Sequence, residues 1–203
     1  MKKLNFIKTL VSKENFKERE VVGNITFIRF DANEQENGMM LATECSVPTD
    51  ELDESGLSIQ YEAWKEKVQA AALEQAKKAK IAEIAAYDTS SAVNGFKLNG
   101  MLIPWSKDDP NSPNVDKRMG LRQNIADKIA LGEENISIWL KGMSFTMPCA
   151  QAEVLMRSIE NYAYECFNVT ASHKASVSEL TTIEEVEAYD YKTDYPKMLE
   201  MSV

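Results

Sequence analysis

The chain reads as an α+β protein, and three observations carry that reading. Short β-rich runs gather before residue 48, and a long polar helical run covers about residues 58–87. Beyond residue 95, hairpin signals alternate with helical periodicity. The expected organisation is a small N-terminal antiparallel β module (1–50), an acidic linker with a long polar connecting helix (51–87), and a C-terminal domain (88–199). That last domain is expected to hold two β-hairpins packed with three helices.

The β module rests on LNFIKTLV, NITFIRF and MMLATECSV, about three strands rich in β formers, with DANEQENG read as a polar loop. PTDELDESG (48–56) is an acidic, turn-rich boundary. The helix that follows has a thin stripe of Trp64, Val68, Leu73, Ile81 and Ile84 among alanines and balanced charges, 5 basic against 5 acidic over 58–88. A helix this polar serves as a spacer or as part of a bundle, so these five residues are the expected interface for self-association.

In the C-terminal domain, FKL and MLIPW flank Asn99-Gly100, a pair suited to a type I′ turn, with Pro104 best placed on an edge strand. VDKRMGLRQNIADKIALG predicts a helix with Leu121, Ile125 and Ile129 inward, stopped at Gly132. ISIWLKGMSFTMP predicts a second hairpin with Ile136, Ile138 and Leu140 on one face. The longest stripe follows: Ala152, Leu155, Ile159, Tyr162, Cys166, Val169, His173, Val177 and Leu180 recur at steps of three and four. Leu155, Ile159, Tyr162, Cys166, Val169 and His173 are therefore expected to form the core face of the domain's spine. Thr182 and Glu185 make a capping box that opens a last short helix, and Tyr195-Pro196 is expected to close the ordered part.

Composition narrows the function classes. A chain that is 44% apolar and 27% charged is globular, and its net charge of −9 with no basic patch argues against nucleic-acid binding. The acidity is concentrated in residues 148–203, with 4 basic and 10 acidic side chains. No apolar run approaches the length of a membrane span, and no secretory leader is recognisable. Three widely spaced cysteines, Cys45, Cys149 and Cys166, suit buried thiols in a reducing compartment.

Each chemical motif gives way to a structural reading. His173 and Cys166 lie two turns apart on one face, roughly 10 Å along the axis, too far for one zinc ion. Cys149 near a helix start has no base motif beside it. The acidic pairs Asp108-Asp109 and Glu184-Glu185 are ordinary solvated or capping carboxylates. The sequon at Asn168 and Thr170 lacks an export context. Trp105, Trp139, Tyr162, Tyr164, Phe167, Tyr189, Tyr191 and Tyr195 are chiefly core, with a ligand platform as the sharper alternative. No catalytic, cofactor-binding or metal-ligating residue is expected, and the chain is not expected to be an enzyme.

Residues 81–199 carry a resemblance. The pieces are IAEIAAYDTSSAVNGFKLNG, then Trp105 to Asp108 with DKRMGLRQNI, then ISIWLKGMSFTMP, then IENYAYECFNVTASHKASVSELTTIEEVEAYDYKTDYPKML. They resemble an uncharacterised C-terminal domain family of bacteriophage and prophage tail proteins from the tail-fibre region. With the N-terminal β segment, the chain is similar to proteins of Bacteroides-type phages. The resemblance implies a non-enzymatic virion structural protein of the tail, a fibre-associated or adaptor subunit that docks to other tail or fibre proteins, while the stripe of the long helix is what predicts a homo-oligomer. It would be made and assembled in the bacterial host cytoplasm. Two alternatives stand beside it: a tail-fibre assembly chaperone, and a carbohydrate-binding receptor-recognition module using Trp105 and Trp139.

Overall fold

The computed structural model describes residues 3–105 and 115–203, with side chains in the second stretch from Arg118 onward. The architecture is the expected α+β one: an N-terminal antiparallel sheet, a long helix, and a C-terminal region of further strands and three helices. The chain divides into two compact units, Met1–Ala72 and Leu73–Val203.

The first unit has four strands rather than about three: β1 (Ile7–Ser12), β2 (Arg19–Val22), β3 (Ile25–Glu34) and β4 (Met39–Pro48), in the order β1-β4-β3-β2. The additional strand arises because Gly23, at φ 63°, opens a two-residue turn between Val22 and Ile25. The first half of DANEQENG, Asp31 to Glu34, is strand rather than loop. A register shift between Phe30 and Asn33 puts Asp31 at φ 47°, after which Asn33 pairs with Leu41 and Glu34 with Met40. One bulge thus lengthens the hairpin that a strict alternation test would have ended.

Helix α1 (Glu54–Asp88) begins about four residues earlier than its apolar stripe suggests. Asp53 explains the early start, its Oδ1 accepting from Gly56 N at 3.2 Å and from the Ser55 hydroxyl at 2.9 Å. Leu57, Tyr61 and Trp64 then face the sheet and join Phe6, Ile28, Phe30, Cys45 and Val47 in one core. The Tyr61 ring stacks on Phe30 at 4.0 Å, and Phe6 lies within 6.3 Å of Phe30, Tyr61 and Trp64. On the opposite face the nearly enclosed Arg29 guanidinium binds Glu44 at 2.8 Å and Glu20 at 3.1 Å.

The bulge has a chemical role in this unit. It turns Asp31 toward α1, where Oδ2 accepts from Tyr61 at 2.8 Å and pairs with Lys65 at 2.9 Å. Lys65 first and Tyr61 second hold the Asp31 carboxyl below its ordinary range, and Asp31 raises the Lys65 ammonium.

The second unit holds two small sheets. Strands β5 (Gly95–Leu98) and β6 (Met101–Pro104) close on Asn99 and Gly100 with φ of 50° and 79°, the positive pair of a type I′ turn. Gly95 admits no side chain: a Cβ there would stand 2.6 Å from the Ser91 carbonyl oxygen. Strands β7 (Asn135–Leu140) and β8 (Met143–Pro148) close in the same manner on Lys141 and Gly142. Helices α2 (Val115–Ala130) and α3 (Cys149–Glu179) pack with these hairpins. Phe96, Leu98, Ile103, Ile125, Ile136, Ile138, Leu140, Leu155 and Ile159 are among the residues of a single core.

Three expectations are corrected here. Ile129 is exposed, because the inward side of α2 is carried by Leu121 and Ile125 and its last turn runs past the core. On α3, Val169 is only half-buried and Thr170 takes the buried position, while Leu180 lies just beyond the helix. The ordered part also continues past Pro196. Strand β9 (Glu200–Met201) adds in parallel to β5, with Lys97 N donating to Leu199 O at 2.8 Å and Asn99 N to Met201 O at 2.9 Å. Two residues supply too little pattern to be read as a strand.

The C-terminal half of α1 belongs to this unit. Ile84 is fully buried with Val177 of α3 and Val186 of α4 (Ile183–Ala188), and Leu73 and Ile81 border that cluster. The capping box at Thr182 and Glu185 forms with both of its bonds.

Three outcomes are expected in the full chain. Phe6→Ala should destabilise the first unit by about 3–5 kcal/mol, and Ile84→Ala the second by about 2–5 kcal/mol, read by urea unfolding. The Asp31–Lys65 contribution should be present above the ordinary carboxylate range, near pH 4, and fade as pH falls through the lower folded pKa. It should also fade at alkaline pH, as the raised Lys65 pKa is passed. Asp31→Asn, which tolerates the same φ, should remove both limbs in a pH series of unfolding midpoints.

Candidate docking site on helices α2 and α3

Taken one by one, the chemically suggestive side chains are already committed to the fold. His173 is buried, with Nδ1 2.9 Å from the Tyr189 hydroxyl and Nε2 3.0 Å from the Thr193 carbonyl oxygen. A carbonyl can only accept, so Nε2 carries a proton and Nδ1 is free to accept from Tyr189. Cys166 is fully buried and donates to the Val93 carbonyl oxygen at 3.7 Å; burial pushes its thiol up, as it does the thiol of Cys45. Tyr162 is raised for the same reason, with Cys166 as a further cause. Cys149 is buried in the main core, and Leu155 and Ile159 lie beside it. Thr170 of the sequon is buried, its hydroxyl donating to Asp88 at 2.7 Å and sitting 2.9 Å from the Tyr195 hydroxyl. Asp108-Asp109 lie outside the described residues.

His173, Thr170, Tyr189 and Tyr195 instead fasten the segment after α4 to α3 and to the end of α1. Tyr87 adds edge contacts to Tyr191 at 5.7 Å and Tyr195 at 5.5 Å. Among the described residues, no three His, Cys, Asp or Glu side chains are placed to hold a metal ion.

One convergence in the first unit looks catalytic at first sight. Tyr61, Lys65 and Asp31 meet, with the tyrosine and lysine one helical turn apart. Burial first, then the bond to Asp31, raises the Tyr61 pKa. A phenol held more firmly protonated is the opposite of a tyrosine prepared to act as a base. The triad secures a strained bulge to a helix.

The five expected interface residues divide by packing. Trp64 joins the first unit's core, Leu73, Ile81 and Ile84 join the second's, and Val68 remains exposed.

Among the cavities that remain, one is a groove between α2 and α3, with a volume of about 420 Å³. Trp105, Arg118, Met119, Arg122, Glu160, Ala163, Tyr164 and Phe167 line it. Met119, Tyr164 and Phe167 are 67%, 66% and 60% exposed, an unusual concentration of large apolar groups in water. Tyr164 and Phe167, three residues apart on α3, hold their rings nearly parallel at 6.4 Å. Trp105 is buried beneath, and the Arg118 guanidinium lies over its indole at 5.3 Å while Nη1 donates to the Trp105 carbonyl oxygen at 3.2 Å. Arg118 Nε is buried with no hydrogen-bond acceptor, beside the electron-rich indole face. Arg122 spans the helices to Glu160 at 3.1 Å.

Of this site, sequence reading found Trp105, Tyr164 and Phe167 only as members of a larger aromatic group, and missed Arg118, Met119, Arg122 and Glu160. A usable signal was present. Tyr164 and Phe167 are large apolar residues off the buried phase of α3, flanking its stripe. Trp139 is likewise exposed, on the outer face of β7, but is not part of the groove.

His173→Leu should leave the Tyr189 hydroxyl and the Thr193 carbonyl unpartnered, at about 1–3 kcal/mol for each group that stays buried. Amide exchange over residues 189–195 should accelerate more than over β7 and β8, which hydrogen-exchange mass spectrometry can read.

No curated protein and no solved structure matches the chain. Residues 75–193 match the family described as a domain of unknown function, DUF4376, and this span contains α2, α3, α4 and the whole groove. That match extends over more than half of the sequence, and the chain belongs to the DUF4376 family.

Proposed function

We propose that this chain is a non-enzymatic structural protein of a bacteriophage tail, a fibre-associated or adaptor subunit that works by docking to other tail or fibre proteins. The observation that carries the docking part is the groove, where Met119, Tyr164 and Phe167 stand in solvent above a stacked Trp105–Arg118 floor. Aromatic and arginine side chains dominate the energetics of protein interfaces, and exposed apolar groups at one place favour a partner that covers them. The tail assignment is supported by the wording of residues 81–199, which resembles tail-fibre-region proteins. The commitment of the buried histidine and thiols to packing is consistent with a role without catalysis. Assembly would take place in the host cytoplasm, and the finished location would be the virion tail.

The test is quantitative mass spectrometry of purified virions from cells carrying either the wild-type gene or a Tyr164→Lys, Phe167→Glu double variant. Both side chains are already exposed, so the double variant should unfold at the wild-type temperature within a few degrees. The wild-type chain should appear at fixed stoichiometry and the variant should be depleted. Absence of the wild-type chain from virions contradicts the proposal. If fibres also fail to assemble without it, the chaperone reading takes its place.

A further inference from the structure

The groove also carries information about what would fill it, and this inference rests on the docking reading above. Its walls are apolar, through Met119, Ala163, Tyr164 and Phe167, and its charged groups are unequal. Arg122 is neutralised by Glu160 at 3.1 Å. Arg118 has no such partner: its contacts are the indole ring and the carbonyl oxygen of Trp105, and no carboxylate among the described residues lies at ion-pair distance. A guanidinium has five N–H donors, and here one is spent on a carbonyl while Nε is buried without an acceptor. Among the described residues the group is therefore a cation held in place by stacking without a counter-charge, in a chain whose net charge is −9.

A stacked guanidinium with no carboxylate partner among the described residues, set in an apolar groove, suits one kind of ligand. Because Arg118 is already immobilised on Trp105, little side-chain entropy remains to be lost when a carboxylate meets it. The exposed Tyr164 and Phe167 rings, nearly parallel, offer a surface for a flat or branched apolar side chain. We infer that the groove binds a segment of another protein in which an apolar anchor side chain, Leu or Phe, is followed within two residues by Asp or Glu. The anchor lies against Met119, Tyr164 and Phe167, and the carboxylate pairs with Arg118. A basic segment would meet an uncompensated like charge at the same place.

The probe is an array of synthetic octapeptides, each with one Leu or Phe followed at the next two positions by Asp or Glu, by Asn or Gln, or by Lys. It is read with the full-length chain by fluorescence polarisation. The acidic set should bind at least about tenfold more tightly than its amide counterparts, the value of one charge-assisted bond. Arg118→Met should abolish that preference while leaving residual binding through the anchor, and Phe167→Ala should weaken every set. Since Arg118→Met also removes the stack on Trp105, Arg118→Lys serves as a second variant: it keeps the charge, loses the fork, and should retain part of the acid preference. Equal binding of acidic and amide peptides, no binding by any set, or a preference unchanged by Arg118→Met would overturn the inference. Self-association of the chain that Phe167→Ala abolishes would also overturn it, placing a second copy in the groove. In each of these cases, retention of the wild-type chain in virions would leave the docking role standing without this partner chemistry.

Discussion

The second unit depends on one constraint: helix α3 must keep a single face buried over 31 residues while its neighbours change along its length. Near its start, Cys149, Ala152, Leu155 and Ile159 close the hairpin core. In the middle, Tyr162 and Cys166 lie against Val93. Toward its end, Thr170 and His173 turn from apolar packing to hydrogen bonds with Asp88, Tyr189, Thr193 and Tyr195, and Val177 meets Ile84 of α1. Tyr164 and Phe167, large apolar residues that fall outside this phase, have no place in any of the three clusters. They form the wall of a groove because the spine leaves them there.

The polar groups on the buried face have a specific physical task. A chain segment with little secondary structure, such as residues 189–195, leaves backbone groups that need partners. His173 supplies a donor to the Thr193 carbonyl and an acceptor to Tyr189, and Thr170 links Asp88 to Tyr195. The only histidine of the chain is explained by its two-sided hydrogen bonding, which no apolar residue of that size supplies. In the first unit the same economy is seen at Asp31, where a bulge that bends the strand is secured by Tyr61 and Lys65.

Much of this fold was legible from local chemistry. Asn99-Gly100 and Lys141-Gly142 mark turns with positive φ, and Thr182 with Glu185 marks a helix start, because each signal is complete within four residues. The α3 stripe was legible because one face stays buried throughout. What escaped reading was non-local. The bulge at Asp31 depends on a helix side chain thirty residues away, and β9 depends on an open strand edge about a hundred residues earlier. The thin stripe of α1 misled for a related reason. Its two ends serve different cores, so Trp64 and Ile84 looked like one imperfect interface. The groove was only half legible: its aromatics showed as a group, but the arginines that give it charge gain meaning only when α2 lies beside α3.

The central claim is that α3 is a spine with one face turned to the core and a flank of Tyr164 and Phe167 turned to a partner. Photo-crosslinking in assembling phage tests it most directly, with a benzoylphenylalanine placed in turn at positions 167, 139 and 154, all exposed in the structure. The account predicts that position 167 yields a discrete crosslinked product with another phage protein, while positions 139 and 154 yield none or far less. Crosslinking from 139 or 154 with none from 167 would contradict it.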